Sequence, residues 1–146
     1  MENGEGVIYH NFGDSYTSVW STENIDLLDA ASRTDGKSNT DAIKGIPGWK
    51  DLYPAFAVVD ELNKDGVTGW YLPAVDQLPK LKHLALNYGN YYWSSTGSGT
   101  NNAFRNYASG NVYHPNENSF DNGQAVPKTG KLYIIAIHDF SYDFSK

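Results

Sequence analysis

Gly69-Trp70-Tyr71-Leu72-Pro73-Ala74-Val75-Asp76-Gln77-Leu78 carries a switch in local geometry around which the rest of the chain can be ordered. Trp70, Tyr71 and Leu72 are an aromatic and apolar run opened by a glycine and closed by Pro73, the pattern of a short strand. Beyond it, Leu78, Leu81, Leu84 and Ala85 fall on one face of a 3.6-residue repeat, so a helix is expected there. Asp76 is its expected N-cap, and Pro79 falls in the first turn, where a missing N–H breaks no hydrogen bond.

Upstream, Pro54–Leu62 places Ala55, Val58, Val59 and Leu62 on one helical face, with Pro54 suited to the first turn and Gly66 to the stop. Gly6–His10 and Tyr16–Trp20 are short strand-like runs, and Asp35-Gly36 marks a turn in the polar stretch 21–40. After Asn87 the helical period disappears. Tyr91–Ser94, Ala103–Ala108, Asn111–His114 and Leu132–Asp139 read as strands, with Ser109-Gly110 as a hairpin turn. In the last strand Leu132, Ile134 and Ala136 alternate with Tyr133, Ile135 and Ile137, so both faces are apolar and the strand is expected to be central. Strands, two helices, then strands make an α+β domain, expected as a single unit over 1–146. Trp70, Leu72, Trp93 and Ile135 are assigned to its core.

Composition narrows the chemistry. The absence of cysteine removes disulfides, thiol nucleophiles and thiolate metal sites. A net charge of −6 with 11 basic residues leaves no footprint for a nucleic-acid backbone. The longest apolar run, Leu132–Ile137, is far short of the ~20 residues of a membrane span. Residues 1–10 lack the basic-then-apolar layout of a signal peptide.

The histidines at 10, 83, 114 and 138 show no metal-pair spacing, and the adjacent His138 and Asp139 point to opposite strand faces, so they form no dyad. Asp60 and Lys64 are expected to form an i, i+4 pair. Gly97-Ser98-Gly99 lacks the third glycine and the following helix of a phosphate loop. Calcium is the one ion the sequence raises, because Asn116, Glu117, Asn118, Asp121 and Asn122 concentrate oxygen ligands on one loop; their spacing is not that of an EF-hand, and no cofactor is expected.

Of the 25 asparagines and tyrosines, 14 lie in residues 87–122, which marks that segment as a surface. Tyrosine gives rigid amphipathic contact area and asparagine adaptable hydrogen bonds, the chemistry of a recognition site. Tyr92, Tyr107 and Tyr113 are expected to supply aromatic contacts and Arg105 a charged anchor. Asn101, Asn102, His114, Asn116 and Asn118 would supply polar contacts. The expected function is non-enzymatic binding of a protein or glycan ligand. The alternatives are an assembly module of an adhesin or fimbrial tip, and a glycoside hydrolase with carboxylates dispersed along the chain.

Gly69-Trp70-Tyr71-Leu72-Pro73 with Gln77-Leu78, followed by Tyr92-Trp93-Ser94-Ser95-Thr96, resembles bacterial C-type-lectin-like domains of the Lcl C-terminal family. Asp35-Gly36-Lys37-Ser38-Asn39-Thr40 and Pro54-Ala55-Phe56 are similar to two further elements of that family, so the likeness covers about residues 35–110. The resemblance implies a C-type-lectin-like fold, with two helices packed on antiparallel strands, the terminal strands close together and a ligand surface on the later strands and loops. It also implies a binding module at the cell surface or secreted, as in the variable proteins of diversity-generating retroelements. A fold relative, the formylglycine-generating enzyme, depends on cysteines that this chain lacks. Departures are the last strand, Lys131-Leu132-Tyr133-Ile134-Ile135-Ala136-Ile137-His138, where the family has arginines, and Ala74, where it has Ser or Thr.

Overall fold

A computed structural model of the chain describes residues 6–12, 17–24, 28–81, 88–110 and 119–140. Its strands are β1 (Gly6–Asn11), β2 (Thr17–Ser18), β3 (Trp70–Tyr71), β4 (Asn90–Ser98), β5 (Asn102–Ser109), β6 (Ser119–Phe120), β7 (Gln124–Pro127), β8 (Leu132–Tyr133) and β9 (Ile135–Phe140). Three α-helices lie between β2 and β3: α1 (Gly36–Lys44), α2 (Trp49–Leu52) and α3 (Pro54–Asp60). The class is α+β, as expected.

The helices differ from expectation in two places. Asp35-Gly36 opens α1 rather than making a free turn, because the Asp35 carboxylate accepts the Ser38 N–H as an N-cap. The helix expected after Asp76 is a 3-10 turn at Leu78–Leu81 over the described residues, and 82–87 lie outside them. Asp76 caps nothing there; its carboxylate pairs with Arg33 at 3.1 Å. The helix starting at Pro54 is present, with the proline at its first position, and it ends at Asp60.

The described strands form two sheets. A three-stranded sheet runs β1-β9-β3, all antiparallel, with Gly6 opposite Phe140 and Trp70 opposite His138. A larger sheet runs β2-β8-β4-β5-β6, with β7 also pairing β5. Its β4–β8 contact is parallel, so the strands are not all antiparallel. The expected strand Leu132–Asp139 is broken at Ile134: β8 belongs to the larger sheet and β9 is the centre of the smaller one.

The alternation of the last strand separates two cores. Ile134 and Ala136 enter a cluster with Trp20, Ile43, Tyr53, Phe56, Val59, Leu72 and Trp93. Ile135 and Ile137 enter a second with Tyr71, Leu78, Leu81, Tyr92 and Phe120. Each fully buried large side chain contributes on the order of 2 kcal/mol. Burial leaves the two central indoles needing acceptors: Trp20 Nε1 donates to Ser94 O and Trp93 Nε1 to Ser18 O, both at 2.8 Å. Among the described residues no helix is long and apolar enough to cross a membrane.

Candidate functional site

The platform of the site is built from buried polar side chains. Asn39 on α1 donates through Nδ2 to Ser32 O and Ser95 Oγ, and its Oδ1 accepts the Ser32 N–H. Thr40 accepts the Leu72 N–H, and Thr96 accepts that of Val75 while donating to Ser32 O. Gln77 Oε1 accepts from the backbone of both Gly36 and Ala74 at 2.9 Å. These bonds join the Asp35–Thr40, Gly69–Leu78 and Tyr92–Thr96 segments. A buried polar group left unpaired costs about 1–3 kcal/mol, so the network holds β4 in one position against α1.

β4 and β5 form a hairpin above this network, with Tyr91 opposite Tyr107 and Trp93 opposite Arg105. Trp93 is covered by the first core, whereas Tyr91, two residues earlier on the same face, is 37% exposed. Its ring meets Tyr107 at 4.8 Å between centroids, and the Arg105 guanidinium carbon lies 3.8 Å from the Tyr91 ring centroid. Arg105 Nη2 donates to Gln124 Oε1 on β7 at 3.5 Å, while Nε is buried with no partner among the described residues. The result is a stack of Tyr107, Tyr91 and Arg105 on a paired-strand base, offering a cation and phenolic edges to solvent.

The expected site residues divide. Arg105 and Tyr107 are brought together here. Asn101 is exposed at the β4–β5 turn, its backbone O accepting the Lys128 N–H, and Asn102 begins β5 opposite Ser98 and Pro127. Tyr92 is a correction: it is fully buried against Phe120 and Tyr133, on the face of β4 opposite Tyr91, and has no ring surface to offer a ligand. Tyr113, His114, Asn116 and Asn118 lie outside the described residues, as does Glu117. Tyr91 and Gln124 were not expected. Alternation from a core-assigned Trp93 sets Tyr91 on the core-facing side and Tyr92 outward, so the local pattern held no signal that Tyr91 is the exposed one.

The segment 119–127 is docked on β5. Fully buried Asn106 donates through Nδ2 to Val75 O and Asp121 O, and Asp121 Oδ1 accepts the N–H groups of Tyr107 and Gly123 at 3.0 Å. That oxygen of Asp121, one of the candidate calcium ligands, therefore already serves the backbone. Among the described residues no three His, Asp or Glu side chains lie together as a metal group. At the far end of β5, buried Lys128 donates to Thr100 O at 2.9 Å and lies 5.1 Å from the Trp20 ring, which pins the hairpin turn.

Other polar clusters hold the scaffold. His138 packs edge-on against Trp70, and its ring nitrogens lie 2.6 Å from Asp139 O and 2.7 Å from Thr68 O. The Asp139 carboxylate instead accepts from the Tyr71 hydroxyl at 2.5 Å; burial first, then this carboxylate, raises the phenol above its ordinary value. Burial and Glu23 likewise push Tyr53 up to about 12. Asp60 does not pair with Lys64 as expected: Lys44 lies at 2.8 Å and Lys50 at 4.0 Å, and Asn63 also donates to it. An open groove of about 270 Å³ is lined by Lys50, Pro54, Ala57, Val58 and Glu61, with Glu61 its one carboxylate. No protein-family model matches the chain, and neither does any curated protein.

Proposed function

We propose that the chain is a non-enzymatic recognition module of C-type-lectin-like architecture, displayed on a cell surface or secreted, that binds a protein or glycan ligand through the β4–β5 face. The observation that carries this reading is the Tyr107–Tyr91–Arg105 cluster, in which an exposed tyrosine and a half-buried tyrosine and arginine meet at the surface on a paired-strand base. Tyrosine and arginine are enriched among the residues that dominate binding energy at interfaces, tyrosine because it buries large area for few frozen torsions and arginine because its planar fork carries directed donors. The motif residues Asn39, Thr40, Gln77, Ser95 and Thr96 give the architecture its support, since they work as one hydrogen-bonded hub beneath that face. The Asn- and Tyr-rich composition of 87–122 fits a surface whose side chains can be exchanged while the hub stays fixed, as in a diversified receptor or adhesin.

The test is a screen of the whole chain on protein and glycan arrays, repeated with Tyr91, Asn101, Asn102, Arg105 and Tyr107 replaced by alanine. Binding is expected to fall at least tenfold in the five-residue variant, with its thermal midpoint near that of the parent. Ligands captured equally by parent and variant would show that the recognition face lies elsewhere.

A further inference from the structure

The chain has two arginines, and their surroundings differ in a way that points to a ligand. Arg33 lies over the Phe104 ring at 4.9 Å, and its Nη2 donates to the Asp76 carboxylate at 3.1 Å and to Asn122 O at 3.4 Å. It is compensated within the molecule. Arg105 has the same aromatic support from Tyr91 but no carboxylate within ion-pair distance among the described residues, although the chain has 17 acidic residues and a net charge of −6. Its hydrogen bonding there amounts to the long contact with Gln124, out of the five N–H donors a guanidinium carries.

We propose, building on the β4–β5 face as the binding surface, that its ligand is an acidic polypeptide segment whose Asp or Glu carboxylate is taken by Arg105. A carboxylate matches the two-pronged geometry of the guanidinium, and the ring beneath fixes that geometry in advance, so little side-chain freedom is lost on binding. A sugar is disfavoured by the same contact. Stacking of a hexose needs an open aromatic face, and the face of Tyr91 is already covered at 3.8 Å by the guanidinium. What remains for the ligand is a cation flanked by phenolic edges, which suits a carboxylate with the short aliphatic stem of an acidic side chain lying along Tyr107.

The experiment is to pan a random dodecapeptide phage library against the whole chain, with neutral and sialylated glycan arrays read in parallel. Selected peptides are expected to be enriched in Asp and Glu over the input library. Their binding should fall at least tenfold with Arg105→Gln and severalfold with Arg105→Lys, which keeps the charge and stem but loses the fork. Lys37→Gln, an exposed cation on α1, should leave it unchanged, and Arg105→Lys guards against a folding defect in the glutamine variant. Selected peptides with the acid content of the input, or bound equally by Arg105→Gln, overturn the proposal. So does Arg105-dependent capture of sialylated glycans without acidic peptides. Neutral peptides that depend on Tyr107 and Asn102 would overturn the acidic specificity and leave the recognition face standing; peptides indifferent to both would remove the two together.

Discussion

At the scale of single residues, several side chains that look interchangeable in the sequence are fixed by what surrounds them. Gly36 is the sharpest case. It occupies the first turn of α1, where replacing glycine by alanine ordinarily stabilises a helix by about 1 kcal/mol. Here a Cβ would sit 2.4 Å from Leu72 O and 2.7 Å from Ala74 N, both backbone atoms that cannot step aside cheaply. Gly36→Ala is therefore expected to destabilise by about 1–3 kcal/mol, opposite in sign to helix propensity, as read from urea unfolding. The same close approach lets Gln77 reach Gly36 N–H, so the substitution should also weaken the hub beneath β4. Tyr91 and Tyr92 teach the complementary lesson. Adjacent and identical in type, they differ in environment because alternation sends one to solvent and the other into the second core. Which of the two is exposed depends on how far the cover over Trp93 extends along β4, a tertiary fact that local pattern does not contain.

At the scale of elements, α1 and α3 are joined by charge as well as by packing. Asp60, the last residue of α3, accepts from Lys44 at the end of α1, with Lys50 of α2 farther off. Burial alone would raise its carboxyl, but Lys44 and Asn63, with Lys50, together hold it below its ordinary value. A lowered carboxyl favours the folded state above its unfolded value of about 4, and that stabilisation is lost as pH falls through the folded value. Asp60→Asn should therefore cost about 1 kcal/mol at pH 7, and the gap in urea midpoint between variant and parent should close as the buffer is taken below pH ~4. The sequence pointed to Lys64 as the partner because an i, i+4 spacing favours it, but the helix stops at Asp60 and the chain turns away. The elements legible in advance were those with a strong period of their own: α3, the strands at 91–94 and 103–108, and the apolar run 132–139, whereas the hairpin expected at Ser109-Gly110 involves 111–114, outside the described residues. α1 was missed because its stability rests on an N-cap and on Asn39 and Thr40, polar residues buried by partners distant in sequence. Over the described residues Leu78 and Leu81 reach the second core from a 3-10 turn, a geometry that the leucine repeat after Asp76 does not distinguish from an α-helix.

At the scale of the whole molecule, two cores are held together by strands that serve both. β4 sends Trp93 to one core and Tyr92 to the other, and the β8–β9 segment does the same with Ile134 and Ile135. The α+β class was legible because strand and helix periods sit in separate parts of the chain. The division of the last strand between two sheets was not, since continuous hydrophobicity at 132–137 hides the break at Ile134. Of the expected contact residues, Arg105 and Tyr107 meet on the β4–β5 hairpin, and their neighbours Tyr91 and Gln124 emerge only when β4, β5 and β7 are set side by side. The pairing of β1 with β9 has a further use. Because Gly6 faces Phe140 across an antiparallel ladder, backbone positions at opposite extremes of the numbering are about 5 Å apart. The order in which the elements are threaded should then matter little to the finished molecule. A circular permutant with residues 1 and 146 joined by a flexible linker and new ends opened at Asp65-Gly66, an exposed turn outside β4 and β5, is expected to fold to the same structure and select the same peptides as the parent, as judged by circular dichroism and panning.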